Sequence, residues 1–405
     1  MRAGSERWRQ LAVLSLAELL ALCLWFSASA VLPALRREWG LGDAGSAALT
    51  IAVQFGFIVG TLGAALLNLP DVWPARRVMV VGALLGALAN GWLAVAVDGL
   101  AAALALRFVT GLAMAGAYPP AMKIMATWFR EGRGLAIGIL VGALTVGSAV
   151  PHLVRGATDL PWRQTLLVAS GLALLGAGLV VAFVREGPHA FPAARFDVRM
   201  AAAIFRERGP RLACLGYLGH MWELYAMWAW IGLFLAESLL ARGGGDYLGA
   251  NASTATFLVI AVGALGCWLG GLASDRWGRT TATMLAMALS GACALVIGVT
   301  FGGPPALTLV VALMWGVTIV ADSAQFSTAI TELSLPAYVG TALTTQTCAG
   351  FALTTLTIWL VPPVVAAVGW GWAFATLAIG PALGVAAMAR LRALPEAQRL
   401  AGGRR

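Results

Sequence analysis

The sequence predicts an all-α integral membrane protein of twelve transmembrane helices, arranged as two six-helix bundles related by a pseudo-two-fold axis. Three observations carry this prediction. The 405 residues are 60% hydrophobic and only 11% charged, with a mean hydropathy of +0.85, whereas soluble domains carry about a quarter charged residues. The apolar residues fall in long runs near the roughly 20 residues that cross a bilayer as a helix, and they lack the in–out alternation of barrel strands. The second half of the chain also echoes the first at a spacing of about 205 residues.

In order, the runs are Leu11–Leu35, Ser46–Leu69, Arg77–Val97, Leu100–Phe129, Gly134–Val154 and Gln164–Val184. After a polar stretch come Leu212–Leu239, Ala252–Ala273, Thr280–Phe301, Ala306–Ile330, Val339–Val361 and Gly371–Met388. The first is too long for the apolar core of a cleaved signal and reads as a span. Pro119 and Pro120 predict a kink in span four near Tyr118, since proline removes a backbone donor. Span five carries Gly134, Gly138, Gly142 and Gly147, a small-residue face suited to close helix approach. Span eleven is rich in Thr341, Thr344, Thr345, Gln346 and Thr347, which suits a helix lining a wet cleft.

Basic residues set the expected orientation, because cytoplasmic loops are enriched in Arg and Lys. About 20 of the 27 lie on the side shared by the N-terminus, the even-to-odd loops and the C-terminus, among them Arg7, Arg9, Arg76, Arg77, Arg276 and Arg279. The other side holds Arg36, Arg37, Arg155, Arg163 and Arg242. Both termini are therefore expected in the cytoplasm and the chain in the cell (inner) membrane. This bias accounts for the net charge of +9 without nucleic acid as a partner. The polar stretch, with Arg195, Arg199, Arg206 and Arg208, reads as a cytoplasmic linker containing an interfacial helix near Phe196–Phe205. The expected organisation is a bundle over 1–185, a linker over 186–210, a second bundle over 211–393 and a cytoplasmic tail over 394–405.

The repeat shows in residue types. Glu18–Trp25 ("ELLALCLW") and Glu223–Trp230 ("ELYAMWAW") share Glu, Leu, Ala and Trp at equal offsets, Asp71 matches Asp275, and Gly111 matches Gly316. At the end of span eight, "GGLASDRWGRT" places Gly271, Asp275, Arg276, Gly278 and Arg279 in the pattern Gly-x-x-x-Asp-Arg-x-Gly-Arg. This resembles the loop signature of the major facilitator superfamily. Its first-half counterpart keeps Gly63, Asp71, Arg76 and Arg77 around Pro70 and Pro74, and Arg107 with Gly111 resembles the superfamily's Arg-x-x-x-Gly in span four. The resemblance covers nearly the whole chain. It implies a monomeric secondary transporter working by alternating access, with a cytoplasmic charge latch of Asp71, Arg76, Asp275, Arg276 and Arg279, and a role for Arg107 in proton coupling. The chain is also loosely similar to the nitrate/cyanate permease branch, but spans two and eight lack the arginines with which that branch holds its anion.

Ionisable groups at membrane depth are costly and mark sites by default. Span seven presents Tyr217, His220, Glu223, Met227 and Trp230 at helical spacing. His220 and Glu223, three apart, are placed to hydrogen-bond along one face and to exchange a proton, imidazole being the side chain that titrates near neutral pH. The competing reading is a packing pair. Glu18 and Trp25 hold the related positions in span one, so both carboxylates are expected to face a central cavity. Arg107 is the expected partner of a carboxylate or of the solute. Asp322, among Ser323, Gln325 and Thr328, reads as a site or as a packing network. Gln54, Tyr118 and Gln346 complete the expected solute- and proton-binding set.

The five cysteines all lie in spans without metal-ligand spacing, and no phosphate-binding loop of the Gly-x-x-x-x-Gly-Lys type occurs. No cofactor, metal or enzymatic activity is expected. The partners are the lipid bilayer, a small-molecule substrate and protons. The expectation is proton-coupled uptake of a small organic or inorganic ion, with proton-driven export of amphiphilic drugs or metabolites as the alternative.

Overall fold

The computed structural model describes residues 2–67, 69, 73–129, 132–158, 160–189, 197–243 and 248–404. The spans follow the apolar runs. Span one comprises Arg2–Leu22, Ser27–Ala30 and Leu32–Trp39; span two is Asp43–Leu66; span three is Ala75–Ala96; span four is Leu100–Met114 with Tyr118–Trp128; span five is Arg133–Ala157; span six is Trp162–Phe183. Span seven is Arg208–Ala241; span eight is Leu248–Ala261 with Gly263–Trp277; span nine is Arg279–Ile297; span ten is Pro305–Val320 with Ser323–Leu333; span eleven is Val339–Val368; span twelve runs from Trp370–Ala373 to Ile379–Arg392. Among the described residues, 11 helices are long and apolar enough to cross a membrane. Span one is the twelfth; it starts among charges and is interrupted at Cys23–Phe26.

Prolines and glycines punctuate the helices as their backbone chemistry requires. Pro74, Pro161 and Pro304 precede spans three, six and ten, where their missing N–H costs no helical bond. Gly40 ends span one at φ 62° and Gly369 ends span eleven at φ 72°, the left-handed region that only glycine enters without strain. The kink expected in span four is a break at residues 115–117, with Tyr118 opening the second helix and Pro119 and Pro120 in its first turn. Span ten breaks at the repeat-related place, Ala321–Asp322.

The duplication recurs in the packing. A Cβ on Gly111 would collide with the Val53 carbonyl, and one on Gly316 with the Val259 carbonyl. The pairs Gly60 with Leu112 and Gly266 with Val317 repeat the arrangement. Spans two and four, and spans eight and ten, thus meet backbone to backbone, the close approach that small residues permit in lipid.

The two bundles meet along spans five and eight and along spans two and eleven. A Cβ on Gly142 would lie 3.4 Å from Ala264, and one on Gly138 3.4 Å from the Cys267 carbonyl. Phe57 and Phe351 rings are 4.4 Å apart between spans two and eleven. The linker leaves span six, packs on the end of span four, where Gly187 N–H donates to Thr127 Oγ1 at 2.8 Å, and reaches span eleven, where Asp197 N–H donates to Thr341 Oγ1 at 3.4 Å. The expected interfacial helix is two short ones, Val198–Ala201 and Ala203–Arg206; Phe196 lies outside the described residues. Trp8 packs on Phe129 and Arg404 reaches the Asp275 carbonyl, so both ends of the chain sit at the face of the even-to-odd loops, here the terminal face.

Candidate functional site

Span seven remains one unbroken helix, so its polar residues are distributed by helical rotation alone. His220 turns toward span ten, and its Nδ1 lies 2.8 Å from Asp322 Oδ1. Glu223 turns toward spans nine and ten; its Oε1 accepts from Trp315 Nε1 at 2.7 Å and its Oε2 from Ser290 Oγ at 2.8 Å. The pair expected between His220 and Glu223 is therefore not formed, because each finds a closer partner on another helix. The break in span ten places Asp322 opposite His220. Rings of Phe326 and Tyr217 stand 5.7 and 6.1 Å from the imidazole; His220 Nε2 has no hydrogen-bond partner, and the contact at Asp322 Oδ1 is a close approach without an aligned hydrogen bond.

Glu18 is wholly buried, and neither carboxylate oxygen has a hydrogen-bond partner. Arg107 does not reach it. Its Nη1 donates to the Leu24 carbonyl at 3.0 Å and to Ser27 Oγ at 3.2 Å, and its Nη2 to the Trp25 carbonyl. Asn90 extends the cluster, accepting from Ser27 at 2.8 Å and donating to the Leu166 carbonyl at 2.9 Å. The expectation that Arg107 meets a carboxylate thus gives way to a different arrangement. The break in span one frees carbonyls that lipid cannot satisfy, and the forked guanidinium supplies several donors in one plane.

A small cavity lies between the bundles, with about 40 Å³ open to the centre of a water molecule, on the order of three waters. Tyr118, Val141 and Leu144 form its first-half wall; span seven supplies Tyr217, Met221 and Tyr225; spans ten and eleven supply Ser323, Ser327 and Thr347. Away from the terminal face it is bounded by an aromatic cluster. Trp25 stands 4.9 Å from Phe57, 5.6 Å from Phe351 and 5.9 Å from Tyr225, and Phe26 5.8 Å from Trp228.

Of the expected site residues, Tyr118 and Tyr217 line this cavity, and Trp25 joins its aromatic boundary. Glu18, Arg107, His220, Glu223 and Asp322 are not in the lining; His220 and Asp322 adjoin it through Tyr217 and Ser323. Met227 is buried, and Trp230 donates to the Ile358 carbonyl at 3.0 Å. Gln54 is buried with neither amide atom partnered, and Gln346 with its amide nitrogen unpartnered.

At the terminal face, Arg279 forms a bidentate pair with Glu332, at 2.6 and 2.7 Å, and also donates to Gln325 at 2.9 Å. Asp275 and Arg276 are exposed, and a Cβ on Gly134 of span five would lie 3.8 Å from Asp275 Oδ1. Arg76 Nε donates to the Val180 carbonyl at 3.2 Å, at the end of span six. Asp71 lies outside the described residues.

Several participants escaped the sequence reading. Trp315, Ser290 and Asn90 serve as partners of charged groups, and His152 is buried near Gly232 with Nε2 unpartnered. Asn90, a lone amide in an apolar run, carried a usable signal; Trp315 carried none. No group of three or more His, Cys, Asp or Glu suited to a metal gathers among the described residues.

Two helical bundles enclosing a cavity, with titratable groups buried at membrane depth, define a polytopic membrane carrier. The profile of the Major Facilitator Superfamily matches residues 14–353, and the chain belongs to that superfamily. Its fold is similar to a bacterial homologue of the human lysosomal transporter Spinster, solved inward-facing and unoccupied, at TM-score 0.67 and 16% identity over 99% of this chain and 98% of that one. It is also similar to a point mutant of the nucleoside transporter NupG, at TM-score 0.72 and 14% identity over 94% of this chain and 99% of that one. No curated protein sequence matches the chain significantly.

Proposed function

We propose that this chain is a proton-coupled secondary transporter that moves a small solute by alternating access. It works as a monomer in the cytoplasmic membrane, with both termini, and hence the terminal face, in the cytoplasm. The observation that carries the coupling is the buried His220–Asp322 pair beside the cavity wall. Such a pair is expensive to keep dry, and its two neighbours in the wall, Tyr217 and Ser323, connect it to the solute space. Glu18 and Glu223 are the further proton-carrying groups, reached as the bundles rock. The arginine excess on the terminal face supports the orientation. Both solved relatives are transporters by description. On this reading Asp275 and Arg279 work at the cytoplasmic gate together with Asp71, Arg76 and Arg276, and net movement is uptake.

The aromatic cluster favours a second reading, export of amphiphilic solutes, since Trp, Tyr and Phe supply an adaptable apolar lining. Proteoliposomes loaded at one pH and diluted into another separate the readings. Uptake requires accumulation driven by protons entering with the solute, and export requires the opposite gradient. Glu223→Gln and Asp322→Asn are expected to abolish gradient-driven accumulation while exchange persists. Unchanged accumulation in both variants refutes the coupling.

A further inference from the structure

We propose that the solute is uncharged, with a flat apolar face and several hydroxyl or amide groups. The proposal rests on the reading that solute passes through the cavity between the bundles, and it concerns what that cavity recognises. It replaces the ionic solute expected from the titratable residues, because the structure keeps those residues out of the wall.

Two features of the wall carry the assignment. The first is its hydroxyls. Tyr118, Tyr217, Tyr225, Ser323, Ser327 and Thr347 all line the cavity, and among the described residues none of these side-chain hydroxyls has a protein hydrogen-bond partner. Most hydroxyls elsewhere on the same helices behave differently. Thr328, Thr331 and Thr345 each donate to the carbonyl four residues back, at 2.8, 2.9 and 2.8 Å. Six unpartnered hydroxyls thus share this one cavity, where a solute bearing donors and acceptors would satisfy them. The buried indole N–H of Trp228, another wall residue, is likewise without an acceptor.

The second feature is charge. Among the described residues, no Arg, Lys, His, Asp or Glu side chain is in the lining. Arg107 is occupied by carbonyls and Ser27, His220 faces Asp322, and Glu223 is held by Trp315 and Ser290; Glu18, whose carboxylate has no partner, lies outside the lining. A charged solute in this wall would lose its hydration and meet no counter-charge in the lining itself, which is unfavourable. The aromatic side chains of Trp228, Phe351 and Tyr225 in the lining suit a flat apolar solute at no such cost. The cavity is smaller than any such solute in this conformation, so binding requires spans ten and eleven to separate from spans four and five.

The test is binding to the purified full-length protein, followed by thermal shift and tryptophan quenching. The neutral probes are uridine and an aryl glucoside; the charged ones are uridine monophosphate and tetraphenylphosphonium. At least one neutral probe is expected to bind ten or more times more tightly than either charged one. Tyr217→Phe and Ser327→Ala, which remove one hydroxyl each with little change of shape, are expected to weaken that binding about two- to tenfold, the effect of one hydrogen bond, while the unliganded melting temperature holds. Tighter binding of either charged probe, no binding of any neutral probe, or unaltered affinity in both variants overturns the proposal. Neutral binding without gradient-driven transport leaves this assignment standing and refutes the proton coupling instead.

Discussion

Nδ1 of His220 lies 2.8 Å from Oδ1 of Asp322, and the two side chains are only 1% and 2% exposed. The contact exists because span ten stops being helical at Ala321–Asp322 while span seven does not break at all. A continuous helix carries the imidazole to a fixed depth, and a discontinuous one delivers the carboxylate to it.

Breaking this pair on one side is expected to cost about 3–5 kcal/mol, because the remaining group keeps its desolvation and loses its partner. The double variant His220→Gln with Asp322→Asn is expected to be more stable than either single variant. Thermal denaturation of the four proteins checks this. Equal, additive losses would show that the two side chains do not depend on each other.

Arg107→Lys is expected to destabilise the first bundle by about 3 kcal/mol, since a compact ammonium cannot serve the Leu24 and Trp25 carbonyls and Ser27 together. Ser27→Ala should cost about 1 kcal/mol. Denaturation midpoints provide the measurement. A lysine variant as stable as the parent would remove the guanidinium from its place as the cap of the broken first span.

Gly111→Ala and Gly316→Ala are expected to be strongly and similarly destabilising, by about 3 kcal/mol or more, because each methyl meets a backbone carbonyl that cannot yield. Gly171→Ala in span six, where nothing lies within 4 Å of the added methyl, should be neutral. The yield of monodisperse protein on size exclusion distinguishes them.

Glu332 holds the tail as well as Arg279, for it accepts from Ala401 N–H at 3.1 Å. The tail, Pro395–Gly403, buries Ala397 and Leu400. Glu332→Gln is expected to speed tryptic cleavage after Arg399 about tenfold, corresponding to about 1.4 kcal/mol of lost local stability. An unchanged cleavage rate would show that burial of Leu400 alone retains the tail.

The candidate site was legible by residue type and not by pairing. Glu18, His220, Glu223, Asp322 and Arg107 stand out in the sequence because lipid excludes such groups, and all five are buried in the structure. Their partners were not legible. Spacing of three along a helix suggested His220 with Glu223, yet the two side chains diverge to different neighbouring helices. Arg107 suggested an ion pair, and instead it closes a backbone break that no sequence pattern announced. The kink at Pro119 and Pro120 was readable because proline acts locally, whereas the matching break beside Asp322 has no proline to mark it.

By itself, the sequence determined the number of spans, their order and the duplication of one half in the other. It could do so because a bilayer imposes a one-dimensional rule: each crossing helix satisfies its own backbone and is about 20 apolar residues long. Only the tertiary structure decided which buried polar group meets which, and which remain without a partner. Those outcomes depend on helix rotation and on the places where helices break, and both are set by packing between segments far apart in the chain.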